Sequence, residues 1–556
     1  MTTKSKNPFN YAVSAAEDTD GYHLTTLPII LNAMRNPDEW GVTNLVLRGD
    51  SEKVNYTVIA GLWELLHKLE DWEVDEAVQN ALRDKGVKEE VIQMAAGRKF
   101  EGKVYAVRDG EVLFPGPAVR FHGPKWQIKW VESMFTNHMR RCSSVATKMA
   151  RARYVMRPLH LALEAALRRS NDTDGVWTSR SAYIAGADAT SNVKAGRMFN
   201  IPWSGTVDHF TMQVLMEEYF KERHDIDLPM ASFFEKSPEL EPTVKVYLEH
   251  HPDVEMVIDE ESLREAQRWA YRQIIETYPE NYTLLVDTID PYIGVEDAIM
   301  VLSELQPKGY SIRIDSGDLA EISKWARAQL DAAGLKYVKI APSGGLSAIT
   351  VKSLIDQDCT GEIWMFGEYL QFKGELARDG ATLQEPLVNV EFVSKYAGTS
   401  DGIWESMKLS GNPAKNSLPG ALNRLRFLGD SGRFIGDVIV NENQFDIPEN
   451  GVLEKKLRSN RPNRPHNNKT IPAGTQFYVP MQLVYENSQF LPHMQPLYET
   501  EASRAYHKEQ IERLEHRHKR VDGSHSIYGV GVEHSLQMRS YEMSMDKAIV
   551  HKNEEA

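Results

Sequence analysis

One stretch of this sequence, Ser179–Val214, concentrates hydroxyl, amide and small side chains around a single histidine, His209. We interpret the stretch as two strand-to-helix passages, because residues that cap helices precede each helical run. Two neighbouring helix N-termini would bind an anion, since unpaired N–H groups and the helix dipole both favour negative charge there. His209 would lie on the first turn of the second helix and face the same mouth. The alternative is two ordinary capped helices with a surface histidine. The predicted elements are a strand at Ala182–Ala185, a helix opened by Ala189–Asn192, a return to the sheet at Phe199–Pro202 and a second helix after Ser204–Thr206.

Polar residues also follow four short apolar segments further along the chain. Each segment is typical of a buried strand, and each ends in acidic, hydroxyl, arginine or glycine residues. In parallel α/β folds, ligands bind at the carboxyl ends of the strands, where the following loops converge. Four such endings in succession therefore predict a site. The segments are Tyr282–Asp290 with Asp287, Thr288 and Asp290, Tyr310–Asp318 with Arg313, Asp315, Ser316 and Asp318, Tyr337–Gly345 with Ser343, Gly344 and Gly345, and Ile363–Gly367.

Length and composition describe a folded protein of more than one domain. A chain of 556 residues exceeds one ordinary core, and a hydrophobic content of 42% with 11 Trp and 22 Tyr excludes a disordered chain. The net charge of -15 argues against a nucleic-acid surface, which needs a basic excess. Two cysteines, Cys142 and Cys359, exclude a disulfide framework and a zinc cluster and fit a reducing cytosol. Because no signal peptide or membrane-length apolar run is found, we expect a cytoplasmic protein without a membrane partner.

The elements that must position these residues follow from the periodicity of the chain. From Tyr154 to about residue 385, short apolar strands alternate with helical segments, which predicts a parallel α/β barrel or sheet. We expect an N-terminal α/β segment over residues 1–130, a barrel-like domain over residues 131–385 and a C-terminal segment over residues 386–556. An acidic insert at about 222–262 would form a lid or a contact surface.

The two flanking segments show clear local signals. No P-loop or HExxH motif occurs, and Gly529–Gly531 alone is too weak to indicate dinucleotide binding. The predicted flanking elements are a helix capped by Asp20, a strand at Val42–Arg48, a helix from Val54 to Lys68, a hairpin of Phe100–Val107 and Glu111–Phe114 that turns at Arg108–Gly110, a long helix from Trp126 to Arg153, a strand at Leu387–Phe392, a loop at residues 455–475 and a charged helix from Glu499 to Lys519.

Many short motifs occur in the same order as in one enzyme family. Together they are far more specific than any one of them, and they span most of residues 11–545 apart from the insert. On these motifs the chain resembles the nicotinate phosphoribosyltransferases, type II phosphoribosyltransferases of NAD biosynthesis and salvage. The motifs are Asp20–Thr25, Ser179–Tyr183, Thr190–Val193, Ala195–Gly196, Ile201–His209, Leu285–Asp290, Ile312–Ala320, Met407–Ser410, Leu418–Gly420 and the charged C-terminal helix with Lys519–Arg520.

The resemblance implies an irregular (β/α) barrel plus a second α/β domain that is built from the N-terminal and C-terminal segments. It implies the condensation of nicotinate with phosphoribosyl pyrophosphate to nicotinate mononucleotide and pyrophosphate, coupled to ATP hydrolysis and dependent on Mg²⁺. It also implies a homodimer with shared active sites. The alternative is a catalytically weakened or substrate-shifted homologue, taking nicotinamide or another pyridine, that acts as a binding protein.

The resemblance also assigns roles to individual residues. His209 would be phosphorylated by ATP and oriented by Asp287. Arg313 and Ser191 would hold the nicotinate carboxylate, because an arginine fork pairs with a carboxylate bidentately. Asp315 and Asp318 would supply oxygens near magnesium and ribose. The remaining implied substrate contacts are Asp20 and Tyr22 from the partner subunit, with Tyr22 stacked on the pyridine, Arg168, Arg169 and Arg180 on phosphate oxygens, and Thr206, Ser316, Gly344, Gly345 and Gly367.

Three positions depart from the family pattern. Ala165–Ala166 replaces a Phe-Gly pair, so one side of the ring sandwich would be missing or supplied elsewhere. Ser343–Gly345 lacks the carboxylate or amide of the family's ribose motif. Gly367–Leu370 replaces a glycine-rich phosphate loop, and a glutamate facing a sugar phosphate would repel it. We therefore expect either that Glu368 points away or that this loop does not bind phosphate.

Overall fold

The chain folds into two compact units. Unit 1 consists of Met1–Ala150 together with Pro386–Ala556, and unit 2 consists of Arg151–Glu385. The first boundary lies after Ala150, whereas the sequence predicted it after residue 130. The helix beyond residue 130 belongs to unit 1 because it buries Met134, Phe135 and Met139 in the core of that unit. The computed structural model describes residues 15–48, 56–170, 174–224, 260–371, 376–378, 381–383, 390–410, 416–461, 464–522 and 524–554.

The N-terminal part of unit 1 alternates helices with strands of one large sheet. A short 3-10 helix at Ala15–Glu17 precedes it. Its elements are α1 Gly21–Ala33, β1 Trp40–Arg48, β2 Thr57–Val58, α2 Leu62–Glu70, α3 Glu76–Asp84, α4 Glu89–Gln93, β3 Lys103–Ala106, β4 Val112–Leu113, β5 Gly116–Pro124, α5 Lys125–Trp130 and α6 Glu132–Val155.

Two predictions in this part are wrong, one on the start of α2 and one on the pairing of β3 with β4. The helix predicted from Val54 to Lys68 begins at Leu62, after Gly61, because Thr57–Val58 is a strand that pairs with β4. Val54 and Asn55 lie outside the described residues. Gly61 has a φ of 98°, and a Cβ there would lie 2.9 Å from the His138 ring, so the chain can turn here only at glycine. The predicted hairpin does not form either, because β3 pairs with β5 and β4 with β2. Its turn instead places the Asp109 carboxylate on the N–H of Leu62 at 2.9 Å, which caps α2.

Unit 2 contains the alternating strands and helices that the sequence predicts. A 3-10 turn at Leu167–Arg169 follows its first strand. The predicted insert lies mostly outside the described residues. The elements are β6 Leu161–Glu164, α7 Asp174–Ile184, β7 Ala189–Thr190, α8 Val193–Phe199, α9 His209–His224, α10 Glu260–Thr277, β8 Thr283–Leu285, α11 Pro291–Leu305, β9 Ser311–Ile314, α12 Leu319–Ala332, β10 Lys339–Pro342, α13 Ala348–Asp356, β11 Ile363–Phe366, α14 Glu368–Gln371, β12 Leu376–Arg378 and β13 Ala381–Leu383.

The parallel strands of unit 2 form an irregular barrel. Three of them pair in the order β10-β9-β8 and three in the order β11-β6-β7. The N–H of Glu362 donates to the carbonyl of Ile340 at 2.9 Å and links the two groups. On the far side, Trp203 forms a parallel bridge with Thr190, and the N–H of Val207 donates to the carbonyl of Thr283 at 3.4 Å. Residues 201–207 thus close the barrel, and the predicted fold class is confirmed.

One strand prediction in unit 2 is wrong. Ala182–Ala185 does not form a strand, because α7 extends through Ile184 and buries Ala182 and Ala185 completely or almost completely. Small residues are compatible with a helix or a strand. The strand that pairs with β7 is β6 and not the segment just before Ala189, since Glu164 pairs with Thr190. The helices after Asn192 and Asp208 are confirmed.

The C-terminal part of unit 1 completes the first sheet and builds a second one. β14, β20 and β21 join β1, β5 and β3 in the order β14-β1-β5-β3-β20-β21, and the second sheet has the order β18-β17-β22-β16-β15-β19. A 3-10 turn at His516–His518 follows the charged helix, which ends at Arg513. The elements are β14 Glu391–Thr399, β15 Leu422–Leu428, β16 Phe434–Asn441, β17 Leu457–Arg461, β18 Arg464–Ile471, β19 Phe477–Tyr478, β20 Gln482–Glu486, β21 Gln489–Phe490, α15 Gln495–Tyr498, α16 Thr500–Arg513, β22 Val530–Glu533 and α17 His534–Glu554.

The predicted loop at residues 455–475 is a strand pair, β17 with β18. β18 lies at the edge of the second sheet, where a strand tolerates the lysine, asparagine and proline residues that suggested a loop. Across the part of the chain that the structure describes, helices long and apolar enough to span a bilayer are absent.

Buried ion pairs hold the two chain segments of unit 1 together. Glu111 of the N-terminal segment contacts Arg426, which also pairs with Asp437 at 2.9 Å. Arg424 pairs with the same Asp437 oxygen at 2.6 Å and donates to the carbonyl of Phe114 at 2.8 Å. The side chains of all three ion pairs are fully buried, so each charge depends on its partners for stabilisation.

Candidate functional site

Arg313 joins the loops that follow three different segments of the barrel. Its Nε donates to the Ser343 hydroxyl at 2.9 Å, and its Nη1 donates to the Thr206 hydroxyl at 3.2 Å. Its Nη2 lies 3.0 Å from Oδ1 of Asp315. Ser343 in turn donates to the same Asp315 oxygen at 2.5 Å. Nη1 also donates to the carbonyl of Val207 at 3.4 Å, so a carboxylate that binds Arg313 through two nitrogens must share or replace existing protein contacts.

His209 lies at the edge of this cluster, on the first turn of α9. Its side chain is 46% exposed, with Nδ1 3.3 Å from the Thr288 hydroxyl and Nε2 3.9 Å from Oδ1 of Asp287. The other Asp287 oxygen accepts hydrogen bonds from the N–H of Asp315 at 3.0 Å and the Ser316 hydroxyl at 2.6 Å. A continuous set of contacts therefore connects the histidine to Asp315 and, through it, to the arginine.

The approach of two loops in this cluster requires a glycine. Gly344 follows β10 and has a φ of 88°, and a Cβ on it would lie 2.6 Å from the carbonyl oxygen of Asp315. Any side chain would push the loop after β10 away from the loop after β9. Gly345, with a φ of 60°, faces open space. The close approach of the two loops therefore explains the glycine at position 344, whereas at position 345 only the positive φ favours glycine.

The helix N-termini near the cluster are already capped by side chains. Asn192 accepts the N–H of Ala195 at 3.2 Å at the start of α8. Asp208 accepts the N–H of Thr211 at 2.9 Å at the start of α9, and hydrogen bonding to Thr211 lowers the pKa of the Asp208 carboxyl. A carboxylate in this position opposes a second anion at the same helix end. The predicted anion site at the start of α9 is therefore occupied by the protein's own charge.

Asp318 is also engaged as a cap. One of its oxygens accepts the N–H of Ala320 at 3.0 Å and that of Glu321 at 3.1 Å, at the start of α12. The structure thus gives this predicted ligand of ribose or magnesium a structural role, and Asp287 and Asp315 are the carboxylates within the Arg313 and His209 cluster.

The three predicted phosphate-binding arginines differ in accessibility. Arg168 and Arg169 are exposed on the 3-10 turn that follows β6. Arg180 lies on α7, is 1% exposed, and has its guanidinium carbon 5.8 Å from the centroid of the Phe199 ring. Arg168 and Arg169 can meet a phosphate from solvent, whereas Arg180 requires the packing around α7 to open.

Ser191 and Gly367 lie at neighbouring strand ends. The N–H of Ser191 donates to the backbone carbonyl of Glu164 at 2.7 Å, and the N–H of Ala165 donates to the carbonyl of Phe366 at 2.8 Å. A Cβ on Gly367 would lie 3.2 Å from the carbonyl of Ala165, so this glycine packs closely against the loop after β6. Glu368 begins α14 and is partly buried.

The buried carboxyl group of Glu164, at the carboxyl end of β6, was not predicted from the sequence. It accepts the Thr190 hydroxyl at 2.5 Å and the N–H of Ala166 at 2.6 Å. An acid that directly ends an apolar strand, just before two arginines, was the available signal. Thr288 and Ser343 were placed at strand ends by the sequence without a role, and both contact assigned residues.

Asp20 and Tyr22 lie in unit 1, at the start of α1. Asp20 occupies the N-cap position but its side chain caps nothing, because it accepts the Ser133 hydroxyl at 2.5 Å. Tyr22 is 49% exposed, and the Lys129 ammonium lies 4.8 Å from its ring centroid. One face of the ring therefore meets a cation within its own unit.

The cluster also fits a magnesium ion in part. Oδ1 of Asp287 is buried and has no hydrogen-bond partner among the described residues, and the side chain of Asp315 is 27% exposed. Mg²⁺ commonly uses one or two carboxylates together with substrate phosphates, instead of a cage of protein ligands. Within the described ranges, groups of three or more His, Cys, Asp or Glu side chains that could hold a metal are absent.

Two sequence models of one enzyme family match the chain in order. The nicotinate phosphoribosyltransferase (NAPRTase) N-terminal domain matches residues 18–139, and the C-terminal domain of the same family matches residues 423–538. A nicotinate phosphoribosyltransferase of Bacillus subtilis (strain 168) is 29% identical over 430 residues, which cover 76% of this chain and 74% of that protein. These matches indicate the nicotinate phosphoribosyltransferase family.

Further members of the family agree with this assignment. Nicotinate phosphoribosyltransferase 2 of Arabidopsis thaliana is 29% identical over 429 residues, which cover 73% of each chain, and the Bos taurus protein is 26% identical over 449 residues, which cover 78% of each. The crystal structure of human nicotinic acid phosphoribosyltransferase superimposes with a TM-score of 0.70 at 21% identity, covering 94% of this chain and 99% of that one. A nicotinate-nucleotide pyrophosphorylase from Pyrococcus furiosus gives a TM-score of 0.57 at 17% identity, over 90% of this chain and 96% of that one. These structures support the fold of the family.

Proposed function

We propose that this protein is a nicotinate phosphoribosyltransferase, which condenses nicotinate with phosphoribosyl pyrophosphate to give nicotinate mononucleotide and pyrophosphate. The relatives named for this activity cover about three quarters of the chain. The observation that carries the proposal is the set of contacts joining Arg313, Asp315 and Asp287 to His209 at the carboxyl end of the barrel. Nothing in the comparisons supports the alternative of a weakened homologue that acts as a binding protein.

The reaction needs charge stabilisation and placement more than a reactive side chain. The pyridine nitrogen attacks the anomeric carbon of the ribose while the bond to the pyrophosphate oxygen breaks, so positive charge grows on the sugar and negative charge on the leaving group. Groups fixed in advance stabilise such charges without reorganising. Arg313, held at three points, supplies a fixed cation, and the Ser191 hydroxyl and the Arg168 and Arg169 guanidinium groups supply further donors.

We infer that Mg²⁺ assists this step. Asp287, through its unpartnered oxygen, and Asp315 would hold the ion together with phosphate oxygens of the substrate. When bound, the ion neutralises charge on the departing pyrophosphate. The protein's own contribution is to keep Asp287 in place through the N–H of Asp315 and the Ser316 hydroxyl.

We further infer that ATP phosphorylates His209. The imidazole is half exposed and next to a carboxylate, so one ring nitrogen can attack the γ-phosphorus of ATP while ADP leaves. The phosphoryl group would add nearly two negative charges beside the pyrophosphate site. That charge would change how the magnesium ion and the substrate phosphates are held.

A homodimer with shared active sites is part of the proposal. The Tyr22 ring is 49% exposed and lies against Lys129 and His23, and its exposed part would stack on a pyridine bound in the barrel of a second subunit. Asp20 would enter the same site.

The free, buried Cys142 and Cys359 support a reducing, cytoplasmic location.

Product formation from labelled nicotinate tests the proposal. The purified protein is incubated with nicotinate, phosphoribosyl pyrophosphate and Mg²⁺-ATP, and nicotinate mononucleotide is measured. Nicotinamide and quinolinate replace nicotinate in parallel reactions. We expect mononucleotide from nicotinate at a rate at least tenfold above that from either alternative. Binding of nicotinate without turnover, or faster turnover of another pyridine, would overturn the assignment.

A further inference from the structure

Glu164 is a buried carboxyl group that contacts two loops of the barrel at once. Its side chain is 0% exposed, at the last position of β6. Oε1 accepts the N–H of Ala166 at 2.6 Å, at the entrance of the 3-10 turn that carries Arg168 and Arg169. Oε2 accepts the Thr190 hydroxyl at 2.5 Å. One side chain therefore ties the loop after β6 to the loop after β7.

The second of these loops is organised through Thr190. Its hydroxyl accepts the N–H of Asn192 at 3.0 Å while donating to Glu164, and Asn192 caps α8. The N–H of Ser191 is held by the backbone carbonyl of Glu164 at 2.7 Å. Thr190 also accepts the N–H of Ser204 on its carbonyl at 3.0 Å, which connects it to the segment that closes the barrel. The position of Ser191 thus depends on Glu164 through both backbone and side chain.

Burying the Glu164 carboxyl group costs free energy, which its hydrogen bonds to neighbouring residues must offset. Burial raises the pKa of the Glu164 carboxyl, while its hydrogen-bond donors act in the opposite direction. A buried polar group without partners is strongly unfavourable, so the donors around it must stay in place for the fold to keep it. The register reinforces this arrangement, because Glu164 pairs with Phe366 on one side and Thr190 on the other, which places it next to the strand that leads to Gly367.

We propose that Glu164 is a positioning residue of the nicotinate phosphoribosyltransferase reaction, which sets the arginine-bearing turn after β6 and Ser191 after β7 at a fixed separation. It acts through these groups and does not touch the substrates. The inference rests on the proposed function for its kinetic consequence only, since the coupling of the two loops is a property of the fold. A displacement of about 1 Å in substrate-holding groups commonly costs about 100-fold in rate.

The test compares Glu164→Ala and Glu164→Gln with a matched buried acid. Asp297 on α11 is also fully buried and accepts hydrogen bonds from Arg264, Arg268 and Gln267, all on α10. Asp297→Asn therefore removes a buried carboxylate from the same unit without altering a strand-end loop. Glutamine keeps an oxygen for the N–H of Ala166 and an amide that can donate to the Thr190 hydroxyl, so it is the conservative variant.

Amide hydrogen exchange measures the coupling without relying on activity. We expect Glu164→Ala to speed exchange at least tenfold in peptides covering residues 165–170 and 190–193, with Glu164→Gln much closer to the wild type and Asp297→Asn unchanged in both peptides. Faster exchange in the first peptide alone, or in neither, would overturn the proposal, because it requires both loops to respond. If Glu164→Ala fails to fold, a Thr190→Val variant replaces it, with acceleration at residues 165–170 as the deciding result.

Steady-state kinetics then measure the consequence for substrates. Glu164→Ala should raise the KM for nicotinate and for phosphoribosyl pyrophosphate about 10- to 100-fold, and Glu164→Gln should restore both to within about threefold of the wild type. Asp297→Asn should leave both KM values unchanged even where it lowers the thermal midpoint. Unaltered KM values in Glu164→Ala would contradict the positioning role. A wild-type protein that makes no mononucleotide would overturn the proposed function instead, while the exchange data would still decide whether the loops are coupled.

Discussion

Replacing Arg313 by lysine separates charge from geometry in the proposed site. Lysine keeps the positive charge but offers one ammonium group in place of a planar fork. The guanidinium now reaches Ser343, Thr206 and Asp315 through three different nitrogens. An ammonium can keep one of these contacts, so the substitution removes about two hydrogen bonds of a charged donor. At about 1.5 kcal/mol each, the loss of folding stability is about 3 kcal/mol. In addition, kcat/KM for mononucleotide formation should fall about 100-fold, because a cation that is displaced by about 1 Å no longer meets the substrate in the required geometry.

Arg327→Lys is the matched control for this experiment. Arg327 on α12 is 19% exposed, against 14% for Arg313, and its three nitrogens donate to Asp331 and to the carbonyls of Val338 and Leu335. Its replacement should cost comparable stability, measured as a thermal midpoint, without affecting kcat/KM. Equal losses of activity in the two variants, or a kcat/KM for Arg313→Lys within threefold of the wild type, would refute the reasoning.

Three further predictions concern other parts of the chain. His209→Ala should abolish the stimulation of mononucleotide formation by ATP while leaving basal transfer, and undiminished stimulation would contradict the phosphorylation of this residue. Glu111→Ala leaves Arg426 with one fewer carboxylate in a fully buried network, so urea unfolding should show a loss of about 3 kcal/mol, and a loss below about 1 kcal/mol would count against the network. Burial lowers the pKa of His507 to about 4, below its ordinary value of 6.5. Below pH 6.5, His507 is therefore protonated in the unfolded chain while it stays neutral in the folded chain. The free energy of unfolding should fall by about 2 kcal/mol between pH 7 and pH 5 on account of this residue. His507→Gln should flatten that slope in chemical unfolding, and an unchanged slope would show that His507 is not the group responsible.

The local arrangement of the site was largely readable from the sequence. Apolar strands that end in Asp287, Arg313 with Asp315, and Ser343 with Gly344 predict a polar edge, because parallel strands bring their carboxyl ends together. The structure confirms the strands and places these side chains in direct contact. His209 is on the first turn of α9, as the capping residues before it indicate.

Contacts between distant segments were not readable in the same way. Whether an acid caps a helix is decided by the loop that it enters, so Asp318 caps α12 while Oδ1 of Asp287 has no hydrogen-bond partner among the described residues. The strand predicted at Ala182–Ala185 belongs largely to helix α7, because small residues have no strong preference for a strand over a helix. The place beside β7 in the sheet is taken by β6, whose Glu164 pairs with Thr190. Arg180 looks like a phosphate ligand by type, and only burial in the folded unit shows that it is inaccessible.

The sequence by itself determined the alternation of strands and helices in unit 2, the positions of β8 to β11 and the chemical types of the residues at their ends, because these depend on periodicity and on short-range capping. The choice of a barrel and the make-up of the second domain were expected only from the family resemblance. The tertiary structure alone decided the closure of the barrel by residues 201–207, the engagement of every nitrogen of Arg313 and the role of Glu164 between two loops. These features arise from hydrogen bonds between segments that are far apart in the chain. Local patterns do not encode such partners, since the same side chain can satisfy its hydrogen-bonding groups with any loop that packing brings within reach.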